Sequence, residues 1–262
     1  MNQKIVTQKD RSDLLPECAR LASKDSQKNL LLLADLYPPH LSSSEIYMGL
    51  RNGKLDDFSN VYRGFSHPSI VLGIAPPFKE RLLNHILTKI DGDFTCICEP
   101  EELNLFRGRA EIVKSHKEYQ MVLKEPILPK GPQKNVEVEL VQQSELSKLD
   151  HFLKGNGALA WLPVQFESGP YYCVKLDGEI VSVAGVHFVT PQVAQLGNIV
   201  TAWSYRGRGY ATNNTYALAS ALHSLGVIVS LFVMEDNSQA VRIYERIGFQ
   251  KKRKLVYALL RT

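Results

Sequence analysis

Chemistry in this chain starts at a short segment of its second half. Asn198-Ile199-Val200-Thr201 closes a β-branched run, and Arg206-Gly207-Arg208-Gly209-Tyr210-Ala211-Thr212 follows within a few residues. The first stretch reads as the end of a strand and the second as the opening of a helix. Helix N-termini expose unpaired backbone N–H groups and a partial positive charge. Glycines there let the backbone approach an anion closely, and the two arginines add charge beside it. The combination is a phosphate cradle suited to a pyrophosphate. A dinucleotide fingerprint requires G-x-G-x-x-G, whereas Gly207-x-Gly209 is followed by Thr212. A P-loop requires a Lys-Ser/Thr pair that this segment lacks. Coenzyme A is the third class of ligand held in this way, and it fits.

Four further side chains have useful chemistry. Tyr244 lies in a helix-like stretch that Asp236-Asn237-Ser238 can cap. A tyrosine with an ordinary pKa of about 10 is protonated at neutral pH and can act as an acid. Its plainer role is core packing, because it shares a face with Ala240, Val241 and Ile247. Asn237 can cap the helix, touch a ligand, or do both. His187 sits in a strand, on the face of Val181, Val183 and Gly185, where an imidazole has the pKa range of a base. Glu167, in the loop Phe166-Glu167-Ser168-Gly169-Pro170, is a second candidate base. For both, a structural or solvated role is the alternative.

These residues need a scaffold. In the second half the pattern predicts strands at 136–140, 171–175, 179–189, 193–201, 227–234 and 253–260, with helices at 145–152, 209–225 and 238–247. Asp177-Gly178 has hairpin-turn chemistry, and Gly226 and Gly248 sit where helices end. The reading is a mixed α/β fold with helices flanking a mixed sheet. The first half predicts a helical stretch over 14–36, strands at 58–63, 69–74, 94–98 and 119–123, and a helix carrying Leu82, Leu83, Ile86, Leu87 and Ile90. It is a second, smaller α/β domain. Residues 124–135, KEPILPKGPQKN, hold three prolines, a glycine and three lysines, and read as a linker. The expected organisation is therefore 1–123, a 124–135 linker and 136–262.

Arg206-x-x-Gly209-x-Ala211 resembles the pyrophosphate-binding signature R/Q-x-x-G-x-G/A of the GNAT N-acyltransferases. Asn237-x-x-Ala240-x-x-x-Tyr244-x-x-x-Gly248-Phe249 resembles the second signature of that family. The resemblance is clear over 171–262 and extends in outline to 136. It implies a GNAT fold and direct transfer of an acetyl or short acyl group from acetyl-CoA to a primary amine, without a metal. Backbone atoms of Ile199, Val200 and Thr201 would line the pantetheine arm. Residues Arg206, Gly207, Arg208, Gly209, Tyr210, Ala211 and Thr212 would hold the pyrophosphate. Asn237 would lie beside the pantetheine, and Tyr244 would protonate the leaving thiolate. The first half resembles a degenerate GNAT-like domain, as in tandem or glycine-acyltransferase-like members. There Ala75-Pro76-Pro77-Phe78-Lys79 stands where the cradle motif belongs, and prolines have no N–H to offer.

Bulk composition narrows the partners. The net charge of +4 divides evenly: 19 basic against 17 acidic residues before position 136, and 12 against 10 after it. Neither half is a basic domain, so nucleic acid is not expected, and the Lys251-Lys252-Arg253-Lys254 run reads as a solvated turn. No apolar run reaches the roughly 18 residues of a membrane span, and the first residues have no apolar signal core. Cys18, Cys96, Cys98 and Cys173 form no C-x-x-C pair, which suits free thiols in a reducing cytoplasm. The expected acceptor is a small-molecule amine or a protein N-terminus. Residue types do not choose between these, nor set the oligomeric state. The competing reading is a non-catalytic acyl-CoA-binding regulatory module that kept the cradle and lost turnover.

Overall fold

A computed structural model describes residues 3–76, 78–128, 136–158 and 160–262. Residues 129–135, most of the expected linker, lie outside the described residues. The chain packs as two compact units, residues 1–118 with 254–262, and residues 119–253. The last strand thus returns to the first unit, because its end pairs with a strand there.

In chain order the first unit contains β1 (Gln3–Thr7), α1 (Leu15–Ala22), α2 (Leu30–Ala34), β2 (Ser44–Arg51), β3 (Lys54–Tyr62), β4 (Ser69–Val71), α3 (Phe78–Leu87) and β5 (Asp93–Cys98). Next comes β6 (Glu111–Leu123), whose residues 119–123 belong to the second unit. The second unit continues with β7 (Glu139–Leu140), α4 (Leu146–Gly155), β8 (Tyr172–Leu176), β9 (Glu179–Val189), β10 (Val193–Thr201), α5 (Tyr210–Ser224), β11 (Ile228–Met234) and α6 (Ser238–Ile247). Finally β12 (Phe249–Arg261) crosses back at residue 254.

Strand order in the first unit is β1-β2-β3-β4-β5-β12, and in the second β7-β8-β9-β10-β11-β6. The pairs β1–β2, β2–β3, β3–β4 and β5–β12 of the first unit and β7–β8, β8–β9 and β9–β10 of the second are antiparallel, and each unit also has a parallel pair. In these, β4 runs parallel to β5 through Ser69↔Thr95 and Ile70↔Cys96, and β10 runs parallel to β11 from Val193↔Ile228 to Leu196↔Leu231. A parallel pair needs a crossover, and a helix supplies each: α3 in the first unit, α5 in the second. The same topology is thus built twice. Each unit also contains a hairpin on a two-residue turn of positive φ, Asn52-Gly53 between β2 and β3 and Asp177-Gly178 between β8 and β9. Such turns match the right-handed twist of the strands they join.

Each unit has its own core. In the first, Phe78, Leu82, Leu83 and Ile86 of α3 pack with Ile70, Phe94 and Cys96 of the sheet. In the second, Leu218, Ala219 and Leu222 of α5 and Val241, Tyr244 and Ile247 of α6 pack with Val183, Ala194, Leu196, Val229 and Leu231. Truncating one such leucine to alanine costs about 2–5 kcal/mol, so these helices are held by packing more than by propensity.

Several sequence expectations shift: the strand expected at 119–123 begins at Glu111, and Lys251-Lys252-Arg253-Lys254, read as a turn, lies within the strand Phe249–Arg261. The helical stretch at 14–36 breaks into α1, a 3-10 turn at Ser23–Asp25 and α2. The strand expected at 69–74 ends at Val71, because Ile74 and Ala75 direct their amides to a side chain. The strand expected at 136–140 is paired only at Glu139–Leu140. All four cysteines are free and buried.

Candidate active site

The site is organised by β10. Along one edge it pairs with β9 as far as Thr201↔Ser182. Along the other its ladder with β11 stops at Leu196↔Leu231. Among the described residues, the edge of residues 197–201 on the β11 side therefore carries backbone groups beyond the end of that ladder. A bulge sharpens the divergence. Register on β9 jumps between Gly197↔Gly185 and Val200↔Val183, and Asn198 takes a left-handed φ of 52°. Bulges bend a strand and re-aim its backbone.

Asn198 is buried, and its amide holds the bend. Its Nδ2 donates to Gln165 Oε1 at 2.9 Å and to the Tyr171 hydroxyl at 3.1 Å. Tyr171 in turn donates to Val186 O at 2.6 Å. Gln165, 1% exposed, also accepts from Leu162 N and donates to Ala160 O, which fixes the 3-10 turn Pro163–Ser168 against the bulge. At the end of β10, Thr201 Oγ1 and Ser182 Oγ are 2.7 Å apart, and Asn214 Nδ2 of α5 donates to Ser182 at 3.1 Å. The strand end is thereby tied to the helix that follows the cradle.

The cradle has the form its glycines require. Gly207 and Gly209 both have φ of 78°, and Gly209 is the N-cap of α5. An L side chain adopts that region only at a cost, so the turn is open to glycine above other residues. Among the described residues the amides of Gly207, Arg208 and Gly209 meet no backbone acceptor, and Asn213 N makes the first helical bond, to Gly209 O. Tyr210, Ala211 and Thr212 form the first turn, where helix geometry provides no acceptor. Arg206 does not reach into this space: its Nε donates to Thr201 O at 3.2 Å, and its guanidinium lies 4.7 Å from the Trp203 ring. Arg208 likewise lies 5.3 Å from the Tyr205 ring. Both arginines are held beside the turn by aromatic faces.

Tyr244 projects from α6 into the second core, 8% exposed, with its ring edge-on to Phe249 at 6.0 Å. Burial pushes its pKa up to about 12, because an apolar surround disfavours the phenolate. It therefore holds its proton throughout the physiological range. Asn237 caps α6, its Oδ1 accepting from Ala240 N at 3.1 Å. Its capping role is thus realised, and the exposed residue retains its Nδ2 for other partners.

The two candidate bases lie apart in character. His187 is half-buried on β9 with its ring over Gly197, where a Cβ would come within 2.0 Å of Nε2. It therefore stands at the start of the bulge, on the face away from Ser182. Glu167 is exposed on the Pro163–Ser168 turn. Sequence reasoning passed over Gln165, Tyr171, Ser182, Asn198 and Asn214. The signal for Asn198 was present: Gly197-Asn198 inside a strand is the composition of a bulge, since asparagine tolerates left-handed φ. The others are ordinary polar residues that become meaningful only through their partners.

Residues 142–249 match the model of the Acetyltransferase (GNAT) family. No curated protein matches the chain in sequence. Among solved structures, a tandem GNAT protein from the clavulanic acid biosynthesis pathway is 12% identical, covers 98% of both chains and has a TM-score of 0.69. A GCN5-related N-acetyltransferase from Sphaerobacter thermophilus is 15% identical over 97% of this chain and 95% of its own, with a TM-score of 0.64. A GNAT-family acetyltransferase from Colwellia psychrerythraea is 15% identical over 98% and 100%, with a TM-score of 0.63. Identities this low establish the fold alone. Taken with the strand edge and the glycine turn, these matches show that residues 142–249 are similar to the GNAT acetyltransferases and that the chain has a GNAT fold spanning both of its units.

Proposed function

We propose that this protein is an acetyl-CoA-dependent N-acetyltransferase whose acceptor is a primary amine, either a small molecule or a protein N-terminus. The observation that carries the reading is the run of amides at Gly207–Gly209 that meet no backbone acceptor among the described residues, beside the end of β10 where its ladder with β11 has stopped. A turn that presents N–H groups from left-handed glycines at a helix start suits a pyrophosphate. An unpaired strand edge suits the amide groups of a pantetheine arm. Residues 207–212 would hold the diphosphate, with the Arg206 charge beside them, and the backbone of Ile199, Val200 and Thr201 the arm. Asn237 would stand beside it, with its Oδ1 engaged in the cap. When bound, the cofactor supplies an acyl thioester open to attack by an amine.

The protein's own contribution is orientation and proton handling. Tyr244 Oη, protonated at neutral pH as any phenol is and kept so well above it by burial, donates a proton to the departing sulfur. His187 Nε2 or Glu167 takes the proton from the amine, directly or through water. The Gln165–Asn198–Tyr171 network keeps the Pro163–Ser168 turn and the bulge in one arrangement, so that attack occurs from a fixed direction. The test is thiol release from acetyl-CoA across a panel of amines and N-terminal peptides. Acceptor-dependent release is expected. Tight acetyl-CoA binding with no release under any acceptor would instead favour a binding module without turnover.

A further inference from the structure

The first unit contains the same strand–turn–helix passage, and its turn is already filled. After β4 the backbone turns at Gly73, and the amides of Ile74 and Ala75 meet Asp57, a residue of the neighbouring strand β3. Asp57 Oδ1 accepts from Ile74 N and from Phe58 N, each at 2.8 Å, and Oδ2 accepts from Ala75 N at 3.2 Å. The carboxylate is 1% exposed. Gly73 permits the approach, since a Cβ there would lie 2.5 Å from Asp57 Oδ2. Pro76 and Pro77 have no N–H by sequence, and Lys79 N is already bonded to Ala75 O. Phe78, the first residue of α3, is fully buried with its ring against Gly49 of β2, where the first residue of α5 is half-exposed.

We infer that Asp57 is an internal substitute for a bound anion: its carboxylate occupies the amide nest of the first unit and closes that unit to phosphate-bearing ligands. A buried carboxylate is expensive unless its lone pairs are met by donors, and here three backbone donors converge on one side chain. Burial raises the Asp57 pKa, while the amides of Ile74, Ala75 and Phe58, together with Lys79, oppose the rise. The carboxylate therefore stays where desolvation alone would disfavour it. Orphan donors at a helix start need a partner, and this chain supplies one from within. A corollary, which rests on the acetyltransferase reading, is that the whole chain binds one equivalent of coenzyme A.

The deciding experiment is chemical rescue in the full chain. Melting temperatures of the wild type, Asp57→Ala and Asp57→Asn are measured in sodium chloride, sodium formate and sodium phosphate at matched ionic strength. Asp57→Ala should melt roughly 4–10 °C lower in chloride, given about 2–4 °C per kcal/mol for a chain of this size. Formate or phosphate should recover most of that loss, beyond any shift they cause in the wild type. Asp57→Asn, which turns an amide against an amide, should melt lower in all three salts. Should Asp57→Ala be unfolded in chloride, folding restored by formate supports the inference. Equal salt responses in wild type and Asp57→Ala, or an Asp57→Asn protein as stable as wild type, would overturn it. The corollary is read separately by native mass spectrometry with coenzyme A. Two equivalents on the wild-type chain would contradict an occupied nest. No binding at all would count against the acetyltransferase reading, and the anion rescue would still decide the role of Asp57.

Discussion

The chain makes the same passage twice, from a strand through a tight turn into a helix and on to a parallel strand, and the two copies treat their backbone donors in opposite ways. Between β10 and α5 the amides of Gly207, Arg208 and Gly209 have no backbone acceptor among the described residues. Between β4 and α3 the amides of Ile74 and Ala75 are bonded to Asp57. The neighbouring strand of the second unit offers Ser182 instead, and its hydroxyl reaches the Thr201 side chain. A second contrast follows the parallel strand. β11 leads into α6 with its buried Tyr244, whereas β5 leads into a 3-10 turn, Pro100–Phe106, that buries Phe106 and offers no hydroxyl there. Topology alone therefore does not make a cofactor site. The same fold can leave its donors for a ligand or satisfy them with its own carboxylate, and a few side chains decide which.

The sharpest test of that contrast is Tyr244→Phe. The ring and its contact with Phe249 remain while the hydroxyl is lost. Turnover should fall roughly ten- to a thousandfold, in the range of a lost general acid with partial relief by water. The acetyl-CoA dissociation constant should change little, which a paired binding and single-turnover measurement checks. Unaltered single-turnover rates would return Tyr244 to the core and erase the second contrast. A smaller effect is expected at the turns. Gly209→Val forces a β-branched residue to a φ of 78°, a cost of about 1–3 kcal/mol. Coenzyme A affinity should drop by roughly 5- to 150-fold in calorimetry. Gly73→Val in the other unit should lower the melting temperature and leave that affinity alone. If both changes weaken coenzyme A equally, the two turns are not opposed.

The first unit also buries a second carboxylate, and it sharpens the meaning of Asp57. Asp35 is 5% exposed, and its Oδ2 has no partner among the described residues. Burial raises its pKa to about 8, with Asn60 and Ser44 opposing the rise. The unfolded chain releases this proton near pH 3.8 and the folded chain near 8, so folding loses stability as pH rises between those values. The melting temperature should decline from pH 5 to 8 in the wild type, and less steeply in Asp35→Asn. Parallel profiles would mean that Asp35 finds donors as Asp57 does. The smallest effect is at Ser182→Ala, which removes one link between Thr201 and Asn214. At about 1 kcal/mol for a hydrogen bond, the KM for acetyl-CoA should rise a few-fold with kcat nearly unchanged.

Local chemistry made much of the second unit legible. Asp177-Gly178 demanded a hairpin, Gly226 and Gly248 ended helices, and Asn237 could cap, all of which the structure contains. These are backbone preferences of single residues, felt without the rest of the fold. Helix-spaced apolar residues likewise revealed α3, because one buried face writes a period into the sequence. The first unit was harder to read. Asn52-Gly53 carries the same hairpin signal as Asp177-Gly178 and went unused, and the apolar run before Pro38 looked like one helix although it holds two short ones.

By itself the sequence determined a left-handed glycine turn before a helix, since Gly207 and Gly209 adopt a φ that other residues reach only at a cost. It also determined that the first unit could not copy that turn, because Pro76 and Pro77 lack N–H groups. Only the tertiary structure decided where the donors go. Asp57 lies 17 residues from Ile74, Asn198 is 33 from Gln165, and Ser182 is 32 from Asn214. No local spacing rule connects such pairs. They meet because strand pairing and helix crossover bring distant segments within hydrogen-bond reach, and a buried polar group acquires its role from the partner it finds there.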